Sequence, residues 1–175
     1  MADRVVLFGH SFVRRFNSFI QSNPEHLNIG LSALQFDVNC YGFGGLSLMQ
    51  RSRLHCVDNK MKGTDLVILD IGSNDLADPL YEPEKFAKDL LSYAGLLIEG
   101  LGVKRVVVMQ VLPRKSVPFP GYNDNVILAN SKLKTEISDS HLPIVFWKHR
   151  GMWNPDVCIF SPDGVHLSNE TGYPK

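Results

Sequence analysis

The chain has 175 residues, 18 basic (Lys+Arg) and 18 acidic (Asp+Glu) side chains, 44% hydrophobic residues and no formal net charge. That balance fits a globular domain long enough to bury a core, and it argues against a chain that grips nucleic acid or an anionic membrane by bulk charge. Cys40, Cys56 and Cys158 are odd in number, far apart and without a Cys-x-x-Cys pair, which points to reduced thiols and a cytoplasmic setting rather than a disulfide framework. Asp3 and Arg4 flank the first apolar run wrongly for a signal peptide, and no run approaches the roughly 20 apolar residues of a membrane span.

In chain order, Val5 to Phe8 reads as a strand buried on both faces. From Ser11 the apolar residues Phe12, Val13, Phe16, Phe19 and Ile20 fall at helical spacing, with Ser11 near the N-cap and the end near Asn23-Pro24. Leu34 to Cys40 reads as a second strand, leading into Tyr41-Gly42-Phe43-Gly44-Gly45, and Leu46 to Val57 as a helix. Leu66 to Ile71 is the most strand-like run and stops at Gly72-Ser73-Asn74-Asp75. Pro83 suits the first turn of a helix over Glu84 to Glu99. Arg105 to Val111 is a strand, Asn123 or Asp124 caps a helix through about Ser138, and Leu142 to Trp147 is the last strand. Lys148 to Lys175 reads as loop. This alternation, with no linker or repeat, predicts an α/β fold in three α/β/α layers, one domain over 1–175, built on a five-stranded parallel sheet of flavodoxin-like order.

In a parallel sheet the strand ends share one edge, so four distant loops converge there. A flavodoxin-like order sets Ser11 between the glycine loop and Asn74. A serine hydroxyl needs a base to take its proton, and His166 can be that base. Asp163, three residues earlier across a Pro-Gly turn, can hold the second ring nitrogen and stabilise the imidazolium. The backbone N–H groups of Ser11 and Gly45 and the side-chain amide of Asn74 are candidate donors to the oxyanion formed on attack at an acyl carbon.

These blocks, Gly9-His10-Ser11, Tyr41 to Gly45, Gly72-Ser73-Asn74-Asp75 and Asp163-Gly164-Val165-His166-Leu167, resemble the four signature blocks of the SGNH (GDSL-type) hydrolase superfamily, nearest its platelet-activating-factor acetylhydrolase branch. The resemblance implies ester hydrolysis without cofactor or metal, with Ser11 as nucleophile, His166 as base, Asp163 orienting it, and Gly45 and Asn74 completing the oxyanion hole. The family usually has aspartate where this chain has His10, and the glycine block has Leu46 where that branch usually has aspartate. The G-H-S-F-x-R-R opening is similar to esterase domains of first-open-reading-frame proteins of LINE-type retrotransposons, and the short end after Leu167 suggests a domain excised from a longer protein.

The expectation is therefore a serine esterase acting on short-chain acyl or lipid esters through an acyl-enzyme. Its partners would be that small-molecule substrate and a membrane surface, with nucleic acid engaged only through other domains of a parent protein. The second reading is a catalytically weak module of the same fold serving membrane or ribonucleoprotein association, and a weaker third is a phosphate-binding flavodoxin-like domain. His10 is read as a hydrogen-bonding residue behind the nucleophile, a surface residue or a competing base. His26, His55, His141 and His149 are expected to be solvated, as are Arg14, Arg15, Arg51, Arg53, Arg114 and Lys115 unless several share one rim that attracts phosphate. Phe119, Trp147, Met152 and Trp153 are expected as core or loop anchors, with an acyl-chain wall as the other use.

Overall fold

The apolar run near the N-terminus forms the strand β1 (Asp3–Gly9), which becomes fully buried from Val5 onward. A computed structural model describes residues 2–152 and 158–174. β1 leads into α1 (Ser11–Ser22), a 3-10 segment (Pro24–Gly30) and β2 (Phe36–Gly42). The short helices α2 (Arg51–His55) and α3 (Asp58–Met61) precede β3 (Leu66–Asp70), and α4 (Pro83–Glu99) joins β3 to β4 (Val106–Met109). α5 (Tyr122–Asp139) leads to β5 (Ile144–Trp147). The five strands are parallel in the order β2-β1-β3-β4-β5, as the alternation predicts.

Strand alternation divides the core. Val6 and Phe8 of β1, Val67 and Leu69 of β3, and Val106 and Val108 of β4 face one side, where they pack with Phe86, Leu90 and Leu97 of α4 and Val126 and Leu133 of α5. α1 covers β1 and β2 on the other side through Phe12, Val13, Phe19 and Ile20. It lies so close to β2 that a Cβ on Gly42 would stand 2.0 Å from the Arg14 backbone nitrogen. A smaller apolar cluster, Phe12, Leu112, Ile159 and Leu167, anchors the last segment on the α1 side. Val145 and Trp147 of β5 remain exposed, so Trp147 is not the anchor its size suggested.

Other expectations shift. The apolar spacing over Leu46 to Val57 yields a helix only at Arg51–His55. Leu46 and Leu48 are buried, but their backbone groups are held by side chains of the loop after β3 instead of by a helical turn. Leu34 is 92% exposed and β2 begins at Phe36. β4 ends at Met109; the Gln110 N–H still donates to Trp147 O of β5 at 2.8 Å, and the backbone groups of Val111 are taken by Asn130 of α5. Neither Asn123 nor Asp124 caps α5, whose N-cap is Gly121. Phe119 packs edge-on against Tyr122 and Met152 packs on the smaller cluster, as anchors should, whereas Trp153 lies outside the described residues.

Candidate active site

The register sets the site. Gly9 at the end of β1 lies opposite Gly42 of β2 and Asp70 of β3. The glycine loop is tied to the β1 end by Phe43 N–H donating to Gly9 O at 2.9 Å. Ser11 is the first residue of α1, not its cap. The cap is His10, whose Nδ1 accepts the Phe12 N–H at 3.2 Å. The Ser11 side chain is thus free for other work at the positive end of a helix dipole.

Ser11 Oγ stands 2.9 Å from His166 Nε2, across 155 residues of sequence. His166 Nδ1 stands 2.8 Å from Asp163 Oδ2. The Asp163 to His166 segment turns through Gly164 at φ +67, a left-handed value that glycine tolerates. Lys115 and Ser116 donate their N–H groups to Gly164 O at 2.8 and 2.9 Å. Asp163 Oδ1 accepts the N–H groups of Val165 and His166, each at 2.9 Å, and the Ser161 hydroxyl at 2.7 Å. Burial alone would raise the Asp163 carboxyl, but the bonds from His166, Val165 and Ser161 outweigh it and hold the group well below the usual carboxylate range. Asp163 is therefore ionised at neutral pH. Its bond to Nδ1 requires a proton there, which leaves Nε2 of the neutral ring as the acceptor facing the serine hydroxyl.

Gly45 takes φ +70 in the exposed glycine loop, and among the described residues its N–H has no protein acceptor. Asn74 is half-buried, and its Nδ2 donates one hydrogen to Leu46 O at 3.0 Å, leaving the second available. Next to it, buried Asp75 accepts the Leu48 N–H at 2.6 Å. Two adjacent side chains thus grip the stretch after Gly45, so the loop carrying one candidate donor is fastened to the residue carrying another. With the Ser11 N–H, these are the donor types that an oxyanion requires.

His10 is buried and points away from Ser11 chemistry. Accepting from Phe12 N–H at Nδ1 puts its proton on Nε2, which lies 3.5 Å from Asp70 Oδ1. Burial lowers its pKa despite Asp70, with Arg114 and His166 lowering it further, so the ring stays neutral. It is the cap of α1 and not the surface residue that one expectation allowed.

Several charged residues expected to be solvated are engaged. Arg15 reaches Asp163 Oδ2 at 3.7 Å, and Arg53 donates to Gly44 O at 2.9 Å. Arg114 is half-buried over the Tyr122 ring, 5.0 Å from its centroid, and donates to Ser73 O at 2.7 Å and to Ser73 Oγ at 2.9 Å. His149 is half-buried, and burial lowers its pKa. It lines an apolar cavity of about 230 Å³ with Phe12, Leu112, Met152, Leu167 and Tyr173. Ser11 and His166 lie outside that wall.

The fold is shared with solved ester hydrolases. A GDSL-like lipase from Bacteroides thetaiotaomicron superposes with a TM-score of 0.66 at 19% identity, over 98% of this chain and 82% of that one. A carbohydrate esterase of family 3 from Talaromyces cellulolyticus gives 0.69 at 16%, covering 98% and 91%. A catalytic mutant of an acetylxylan esterase from Geobacillus stearothermophilus gives 0.63 at 14%, covering 99% and 91%. The five-stranded parallel sheet between helical layers is thus the α/β/α fold of GDSL-like lipases and acetyl esterases. No protein-family model and no curated protein matches the sequence.

Proposed function

We propose that the protein is a serine ester hydrolase that works through an acyl-enzyme. The observation that carries this reading is the continuous chain Asp163–His166–Ser11 at 2.8 and 2.9 Å, with the serine on the first turn of a helix. His166 takes the Ser11 proton as Oγ attacks the ester carbonyl. The negative charge on the former carbonyl oxygen falls to the N–H groups of Ser11 and Gly45 and the Asn74 amide. Collapse expels the alcohol, which takes the proton from His166. Water, activated by the same ring, then releases the acid.

Ser11 and His166 are half-buried beside the exposed Gly45, which supports short-chain acyl esters and accessible lipid esters as substrates. The neighbours' names, acetylxylan esterase and GDSL-like lipase, fit that range. The reading of a weak, non-catalytic module rests on His10 and on the short end after Leu167; against the first of these, His10 bonds to Phe12 and faces Asp70. The narrower assignment to a LINE-type retrotransposon protein is carried by the Gly9 to Arg15 block alone. Hydrolysis of p-nitrophenyl acetate tests the proposal. The parent protein should turn over, a fluorophosphonate should label Ser11, and Ser11→Ala should abolish both. Turnover unchanged in Ser11→Ala would refute it.

A further inference from the structure

The two ends of an asparagine amide are almost the same size and opposite in chemistry, so only the surroundings choose which way it faces. At Asn74 the surroundings choose firmly. Nδ2 meets an acceptor, Leu46 O, at 3.0 Å. Oδ1 meets a group that can only donate, Arg114 Nη2, at 3.4 Å. A flipped amide would set donor against guanidinium and oxygen against carbonyl, and would turn an acceptor toward the oxyanion. The same guanidinium fixes the backbone one residue earlier, through Ser73 O at 2.7 Å and Ser73 Oγ at 2.9 and 3.1 Å.

Arg114 is itself held in place. Its N–H donates to Asn123 Oδ1 and its carbonyl accepts from Asn123 Nδ2, both at 2.9 Å. Asn130, seven residues further along α5, treats Val111 the same way, again at 2.9 Å for both bonds. Seven residues is nearly two helical turns, so both asparagines project from one face of α5. They clamp the loop after β4 by its backbone. Stacking on Tyr122 then aims the guanidinium.

We propose that Arg114 is a positioning residue of the oxyanion hole, which keeps the Asn74 amide turned with Nδ2 toward the reacting carbonyl. The role rests on the esterase reading above. Because Arg114 acts through Asn74, its removal should lower kcat and spare KM. Complete loss of an oxyanion donor costs about 10²–10³ in kcat, so Arg114→Met should cost at least about tenfold, with KM within about threefold. Arg114→Lys keeps the charge and the stem over Tyr122 but lacks the fork that serves both Ser73 and Asn74. It should lose kcat as well while remaining folded.

The decisive measurement is a double-mutant cycle on p-nitrophenyl acetate hydrolysis. On an Asn74→Ala background, Arg114→Lys should cost less than about twofold further. A cost equal to that on the parent background would overturn the proposal, as would parent kcat in Arg114→Lys. A second readout needs no turnover. The Asn74 side-chain NH₂ pair, assigned in a ¹H–¹⁵N spectrum by its loss in Asn74→Ala, should shift and broaden in Arg114→Lys as the amide gains a second orientation. An unchanged pair overturns the positioning role whatever the activity. Failure of the parent to hydrolyse any ester, with the NH₂ pair still responding, would refute the esterase reading and leave the positioning intact.

Discussion

Asp75 offers a test in which stability should rise when a charge is removed. Its Oδ1 accepts the Leu48 N–H, while Oδ2 is enclosed with no hydrogen-bond partner among the described residues. Burial, opposed by the Leu48 N–H and its own N–H and reinforced by Asp89, pushes the carboxyl from 3.8 to about 6. The folded state therefore binds this proton more tightly than the unfolded chain does. The stabilising contribution is complete below pH 3.8 and is lost as pH rises through about 6. At pH 7.5 the ionised group costs about 3 kcal/mol relative to its protonated form, at about 1.4 kcal/mol per pH unit. Asp75→Asn keeps an oxygen for Leu48 and removes the charge, while its unpartnered NH₂ costs about 1–2 kcal/mol. The net gain is about 1–2 kcal/mol, or roughly 2–8 °C in melting temperature for a chain of this size. Urea unfolding of parent and variant at pH 7.5 and pH 4 measures it. The variant should be the more stable at pH 7.5, and its advantage should vanish by pH 4. A variant less stable at pH 7.5, or a difference that ignores pH, would refute the reasoning.

Two further substitutions probe the groups around Ser11. Asp163→Asn can still accept the Val165 and His166 N–H groups, but its NH₂ faces Nδ1 and forces the ring proton onto Nε2, where it points at the serine. The expected loss is about 10⁴ in kcat with little change in melting temperature, and activity within tenfold of the parent would contradict it. His10→Asp installs the aspartate usual in the SGNH hydrolases that the first block resembles, yet places a buried carboxylate against the half-buried Asp70, which already lies 3.5 Å from the imidazole. It should lose about 3 kcal/mol at pH 7.5, most of it recovered by adding Asp70→Asn. Thermal unfolding of the single and double variants decides, and a single variant as stable as the parent would show that Asp70 does not sense position 10.

The fold was legible because β1, β3, β4 and β5 are centred on short apolar runs and β2 alternates, with Gly9 and Gly42 closing their strands and Gly72 following β3 by two residues. The place of Ser11 was legible for the same reason, whereas Asp163 and His166 were legible from their own spacing across a Pro-Gly turn, 16 and 19 residues past the end of β5. What could not be read locally is what tertiary contacts decide. Leu46 and Leu48 open a stretch that reads as helical through Val57, but Asn74 and Asp75, about 27 residues later, claim their backbone groups. Arg114 looks like loop charge because its partners lie 41 residues back at Ser73 and nine ahead at Asn123. The available signal was the pair Asn123 and Asn130, two amides on one face of a helix where apolar residues would be expected. His10 was hard to place because a histidine cap hides behind the serine that better fits the capping pattern.

The His166 corner of the site rests on a smaller foundation than the sheet does. His166 is held by the cluster Phe12, Leu112, Ile159 and Leu167, one antiparallel bridge between Phe160 and Leu167, and the two N–H groups on Gly164. The free energy that keeps it beside Ser11 is that of docking this last segment, not that of folding the whole domain. Undocking of this segment would part His166 from Ser11 without unfolding the sheet. The same separation applies at birth. Chains emerge N-terminus first, and Ser11 precedes its base by 155 residues. The nascent protein carries an ordinary alcohol at Ser11 until His166 has been made and docked.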